Sequence, residues 1–207
     1  MKRVILILLP VLFVLAAFFG PVGNYIQEKI HPIQEIHTAV LTEPKIIMTD
    51  AIREEQRADT GNYIYIEDIP LIDPVQEYIQ DMCEKYELPY ALMLGLMETE
   101  SSFDYKADSG MAYGLCQIGY INFETLQEQG IDPETTWGNI EAGCYMMSDL
   151  LERYGDLHRA LMAYNLGESW AAEEWDAGKN WSTYSVEVLT NANKWNNYIS
   201  ELKHEKR

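Results

Sequence analysis

The sequence predicts a mainly helical protein, a single globular helical domain carried behind an N-terminal membrane segment and a stalk. Three observations carry that prediction. From Asp73 onward, apolar side chains recur three and four residues apart, the spacing of one helix face. Proline and glycine punctuate these stretches at helical intervals, as at Pro89, Gly130, Gly155 and Gly167. The strand-like run Tyr63-Ile64-Tyr65-Ile66, after the Gly61-Asn62 turn signal, is only four residues long. The expected organisation is a membrane segment over residues 1–23, a stalk or accessory segment over 24–70 and the globular domain over 71–207.

The membrane segment rests on the uncharged run from Val4 to Phe19, preceded by Lys2 and Arg3. Positive charge before an apolar run keeps the N-terminus in the cytoplasm and sends everything after Gly20 outside. Two readings of the run stay open. As a retained single-pass anchor it is extended toward Asn24 by Pro21 and Val22. As a signal peptide it would be cut near Val14-Leu15-Ala16 or Leu15-Ala16-Ala17, and the protein secreted. Both export the rest of the chain, so the domain is expected on the extracytoplasmic side of the cell membrane. In the stalk, Ile26, Ile30, Ile33 and Ile36 give patchy helical spacing broken by Pro32, and Val40 to Arg57 offers another possible helix after Pro44. This stretch lacks the apolar mass of a core.

The domain then reads as a series of helices. Asp73 caps and Pro74 opens the first, with Val75, Tyr78, Ile79, Met82 and Tyr86 on its apolar side. Pro89 starts the second, which ends near Glu100. A polar loop follows from Asp104 to Tyr113. Phe123–Gln129, Asn139–Tyr154 and His158–Asn165 are helices stopped by Gly130, Gly155 and Gly167, and Tyr184–Leu202 closes the chain.

The formal charge of −18 excludes one class of partner. Residues 71–207 alone carry −15, and no basic tract exists beyond the N-terminus. Nucleic acid is therefore disfavoured, and a neutral or cationic polymer favoured. Cys83, Cys116 and Cys144 form no C-x-x-C, and His31, His37, His158 and His204 have no zinc spacing, so neither a metal nor a cofactor is expected. Buried free thiols are the expected state, with one disulfide as the alternative outside the cytoplasm. Asp104 to Asp108 starts like a calcium loop but has Lys106 at the third position and Ser109 where glycine is needed.

Glu100 is the candidate for chemistry. With Met93, Leu96 and Met97 it occupies one helical face, so a carboxyl takes the next place in an apolar stripe, while Glu98 points to the opposite side. On a buried face, desolvation raises a carboxyl pKa and makes it a general acid near neutral pH. If the helix frays before Ser101, Glu100 simply meets water. Periodicity leaves both readings open.

Four strings line up around it: Glu100-Ser101-Ser102-Phe103, Gly114-Leu115-Cys116-Gln117-Ile118, Asn139-Ile140-Glu141-Ala142-Gly143 and Ala163-Tyr164-Asn165-Leu166-Gly167, with Tyr184 and Val188 after them. In this order they resemble the catalytic domain of the soluble lytic transglycosylase family, which is related in fold to goose-type lysozyme. The resemblance covers roughly residues 71–200. It implies a lysozyme-like helical domain with a groove for the peptidoglycan glycan strand. Glu100 would be the single catalytic acid, Ser101 would position substrate and Gln117 would line the groove. Tyr164 would lie near the acid, Asn165 would face substrate, and Tyr184 would be another contact of the acid. Cys116 stands where the family has Met and Leu166 where it has a small Ala. Met146 stands where a Tyr is usual, which puts a binding role for that helix in doubt.

The chemistry implied needs one carboxyl. Glu100 would protonate the glycosidic oxygen between N-acetylmuramic acid and N-acetylglucosamine. It would then take the proton of the muramic 6-hydroxyl, which attacks C1 and closes a 1,6-anhydro ring. A lysozyme-type hydrolase would instead need a second carboxylate, for which Asp104 and Asp108 are the loop candidates. A non-catalytic glycan-binding or envelope-assembly protein is the third class. A membrane tether would confine cleavage to nearby wall, the setting of an envelope-spanning secretion or conjugation machinery.

Overall fold

The chain enters the domain as an extended segment that is not a strand. The computed structural model describes residues 63–205; the N-terminal apolar run and stalk residues 24–62 lie outside them. Tyr63–Ile66 is extended, yet its ladder partners are glutamine side chains of α1 (Asp73–Lys85). Gln76 accepts from Ile66 N at 3.0 Å and donates to Ile66 O at 3.0 Å and Leu71 O at 2.9 Å. Gln80 accepts from Ile64 N at 3.1 Å and donates to Ile64 O at 3.0 Å. Each side-chain amide thus satisfies the backbone groups that a neighbouring strand would satisfy. Ile64, Ile66 and Ile69 are buried, so the last residues of the stretch read as stalk pack on the helical domain. Alternation in sequence cannot distinguish a ladder with a strand from one with two glutamines. Gln76→Ala leaves Ile66 N and Leu71 O without these partners, while Ile66 O keeps the Ile69 N–H at 3.3 Å, and is expected to destabilise the domain by about 1–3 kcal/mol in denaturant unfolding.

Asp73 begins α1 rather than capping it, because Ile72 occupies the N-cap; the Asp73 carboxylate accepts from the Tyr63 hydroxyl at 2.5 Å. Next comes α2 (Tyr90–Ser101), whose residues from Tyr90 to Met97 are all buried. A helix apolar on every side belongs in the interior. The stripe of Met93, Leu96 and Met97 is therefore one strip of a fully covered cylinder, with Glu98 to Ser101 emerging at its end. Beyond the polar loop, Ala112–Tyr113 (β1) and Ile118–Gly119 (β2) pair antiparallel in a short hairpin, Ala112 opposite Gly119 and Tyr113 opposite Ile118.

Five more helices follow. They are α3 (Phe123–Glu128), α4 (Thr136–Tyr154), α5 (Leu157–Leu166), α6 (Glu168–Asp176) and α7 (Thr183–Glu205). Thr135 caps α4 through Gly138 N at 3.0 Å, and Asp156 caps α5 through Arg159 N at 2.9 Å. Gly155 ends α4 at φ 61°, a left-handed conformation that favours glycine. The sequence reading does not anticipate α6, since only Ala171 of it is buried and its spacing carries no apolar face.

The long α7 lies directly on α2. A Cβ at Gly95 would stand 2.5 Å from Ala192 N and 2.6 Å from Val188 O, so only glycine permits this approach. Asn191 donates to Thr99 Oγ1 at 3.0 Å, and Trp195 Nε1 to Glu98 at 2.8 Å, along the same seam. Among the described residues no helix is long and apolar enough to cross a membrane. The three cysteines are buried free thiols.

Candidate active site

Glu100 sits in the last turn of α2, half-buried, where the chain leaves the helix through an unusual turn. Ser102 and Phe103 are both left-handed, at φ 51° and 65°, a conformation that L-residues adopt at a cost. Burial of Phe103 edge-on against Trp195, with ring centroids 5.8 Å apart, holds that turn. The reversal brings residues 114–117 back over the helix end. Ser101 Oγ lies 2.9 Å from Leu115 O and 3.0 Å from Met97 O, tying the returning loop to the helix that carries the acid.

That loop is pinned from several sides. Asn139, buried in the first turn of α4, accepts from Cys116 N at 2.9 Å and donates to Tyr113 O at 2.8 Å and Pro133 O at 3.2 Å. Gly114, at φ +81°, lets Asn139 come this close, because a Cβ there would strike the amide at 2.4 Å. Tyr164 of α5 donates to Cys116 O at 2.8 Å. Gln117 Nε2 donates to Ala107 O at 3.0 Å and Gly114 O at 2.9 Å. Behind them Gly143 abuts Cys116; a Cβ there would stand 2.4 Å from the sulfur.

From the other side, the Tyr184 hydroxyl of α7 donates to Glu100 Oε1 at 2.5 Å. Burial pushes the Glu100 carboxyl above the ordinary carboxylate range, and Tyr184's donation to the charged form draws it partly back. Burial first, then the charge of Glu100, pushes the Tyr184 phenol well up, so it remains a donor. Tyr164 is likewise pushed up, by burial above all, with Cys116 and Glu100 contributing. The arrangement is a partly shielded carboxyl able to hold and release a proton beside hydroxyls that stay protonated.

The structure brings five of the six sequence candidates together: Glu100, Ser101, Gln117, Tyr164 and Tyr184. It uses the donors of Ser101, Gln117 and Tyr164 to hold the loop. Asn165 is exposed at the end of α5, next to the exposed Leu166. Asn139 holds the loop beside Glu100, a role the sequence left unread. Its signal was a polar side chain that begins an otherwise apolar helix face. Asp104 and Asp108 are exposed and close loop turns, accepting from Lys106 N at 2.9 Å and Gly110 N at 2.8 Å. Among the described residues no group of three or more His, Cys, Asp or Glu side chains gathers to hold a metal ion.

Comparison with known proteins places this arrangement among relatives. Residues 77–185 match the family model described as the transglycosylase SLT domain. A protein of Enterobacteria phage PRD1 called "Transglycosylase" is 33% identical over 111 residues, covering 53% of this chain and 39% of that protein. The crystal structure of an inactive mutant of the lytic transglycosylase Slt from Pseudomonas aeruginosa aligns with a TM-score of 0.53 at 19% identity. That alignment covers 72% of this chain and 28% of the other. The fold is thus that of a lytic transglycosylase domain, and the chain spans well under half the length of either relative.

Proposed function

We propose, from the premise that this chain belongs to the transglycosylase SLT family, that it is a peptidoglycan lytic transglycosylase with Glu100 as its acid and base. The chain belongs to that family, whose model matches more than half of it. The single observation that carries the mechanism is a half-buried carboxyl held by a phenol, with the loop aspartates turned to other work. Protonated Glu100 donates to the oxygen of the β-1,4 bond between N-acetylmuramic acid and N-acetylglucosamine. The bond to C1 breaks as the leaving sugar takes that proton. The carboxylate then accepts the proton of the muramic 6-hydroxyl as its oxygen bonds to C1, so the 1,6-anhydro ring closes and Glu100 is reprotonated. No water enters. Hydrolysis would need a second carboxylate across the sugar, and the two loop candidates, Asp104 and Asp108, each accept a backbone N–H of their own loop, which favours the single-carboxyl reading.

Mass spectrometry of digested peptidoglycan tests this reading. Anhydromuramic ends are expected, and reducing ends would point to a hydrolase. Asp104→Asn and Asp108→Asn are expected to keep the rate within about threefold of wild type, as for exposed loop residues away from the reaction. A collapse of activity in either would revive the second carboxylate. If the wild-type protein bound glycan and released no sugar product, the non-catalytic reading would stand. The same proposal includes a membrane tether through residues 1–23 that directs cleavage to nearby wall, in the manner needed by an envelope-spanning secretion or conjugation machinery. The intact mass of the mature exported protein, with or without those residues, tests the tether.

A further inference from the structure

Tyr184 reaches Glu100 only if the first turn of α7 is held, and the chain of bonds that holds it ends on a histidine the mechanism does not use. Ser182 and Ser185 bracket Tyr184 in a reciprocal cap. Ser185 N donates to Ser182 Oγ at 3.1 Å, and Ser182 N donates to Ser185 Oγ at 3.0 Å. Ser185 Oγ also donates to Ser182 O at 2.9 Å. Below this cap lies His158 of α5, its Nδ1 2.8 Å from Ser185 Oγ; both residues are buried.

Ser185 Oγ has one proton and two lone pairs. One lone pair takes the Ser182 N–H. With the proton on Ser182 O, the other lone pair accepts from His158 Nδ1–H; in the other tautomer of His158 the hydroxyl donates to Nδ1 instead. Either arrangement links the two side chains. A buried imidazole and a buried hydroxyl that lose each other keep their desolvation cost, which makes the pair a firm anchor.

We infer that His158 is a positioning residue for the reaction, fixing the Tyr184 hydroxyl on Glu100 through Ser185. The inference rests on the proposed role of Glu100 as the acid. It gives α5 two tasks on the two sides of that acid. Tyr164 at one end of α5 pins the Cys116 carbonyl, and His158 at the other end seats the turn that carries Tyr184.

A double-mutant cycle tests it. His158→Ala, Tyr184→Phe and the double variant are assayed for kcat and KM on glycan strands, and the Glu100 carboxyl is titrated by NMR in labelled protein. His158→Ala is expected to lower kcat about tenfold, the worth of one hydrogen bond, with KM changed less. It should also move the Glu100 titration upward, because the donation that favours the carboxylate is loosened. His158→Asn, whose amide nitrogen can stand in for Nδ1–H, should restore both. In the Tyr184→Phe background His158→Ala should add nothing. Equal effects in both backgrounds, or a Glu100 titration indifferent to His158, overturn the inference. Should His158→Ala not fold, His158→Leu, which removes the ring nitrogen and keeps most of the volume and the Ser182–Ser185 cap, is read in the same way. A wild-type protein that cleaves no glycan, yet shows the His158-dependent titration, would end the proposed function and with it the role in a reaction, leaving only the seating of Tyr184 on Glu100 through His158.

Discussion

Glu100→Gln is expected to abolish release of sugar products and, above the ordinary carboxylate pKa, to leave the protein more stable than wild type. The loss of activity follows from chemistry. An amide neither donates a proton to a leaving oxygen nor accepts one back, and removal of a general acid–base costs about 10²–10⁴ in rate. Glycan binding should persist, since Gln keeps the size of the side chain and an oxygen to accept from Tyr184. The gain in stability follows from linkage. Burial raises the folded-state pKa of Glu100, so between the unfolded and folded values the folded protein binds more protons than the unfolded one. Stability from this group is fully present below the unfolded pKa and is lost as pH rises through the folded pKa. The amide does not titrate. Its advantage over wild type should vanish near about pH 4, the ordinary carboxyl range, and grow toward neutrality. Chemical denaturation at the two pH values measures it. Undiminished cleavage would remove Glu100 from the mechanism, and a stability difference that ignores pH would mean the carboxyl is not shielded.

Gly95→Ala is expected to damage stability and activity together. In an ordinary exposed helix this change gains about 1 kcal/mol of helix propensity. Here the added methyl meets Ala192 N at 2.5 Å, Val188 O at 2.6 Å and Ala192 Cα at 2.8 Å, all backbone atoms that no rotamer change can move. Relief requires α7 to shift from α2, at a cost of about 1–3 kcal/mol or more for overpacking, which exceeds the propensity gain. Because α7 carries Tyr184, the shift also draws the phenol away from Glu100. Thermal melting should show a lowered Tm, and activity measured well below it should still be reduced. A variant as stable as wild type would mean that the two helices can separate freely.

How far the sequence could be read depended on whether the relevant partners were local. Helix stops were legible, because they act within a turn: Gly155 and Gly167 end their own elements, whereas the starts of α4 and α5 were placed at Asn139 and His158, past their caps Thr135 and Asp156. Tyr63–Ile66 was not legible, since its partners are glutamines ten and sixteen residues on. Nor was α6, whose exposed, acidic composition offers no periodicity. At the site, Glu100 stood out as the candidate acid from its place after an apolar stripe and from the strings around it. The periodicity left open whether Glu100 meets water. Packing of α7 and the returning loop closes that question with a half-buried carboxyl under Tyr184.

By itself, then, the amino-acid order determined a helical domain and its family and singled out Glu100 as the acid proposed here, because composition, spacing and short motifs are properties of the chain alone. Tertiary structure decided what surrounds that carboxyl. Tyr184 lies eighty-four positions from Glu100, Tyr164 forty-eight from Cys116 and Asn139 twenty-three from the same residue. Such bonds exist only after the helices pack, since desolvation and hydrogen-bond geometry are set by neighbours in space.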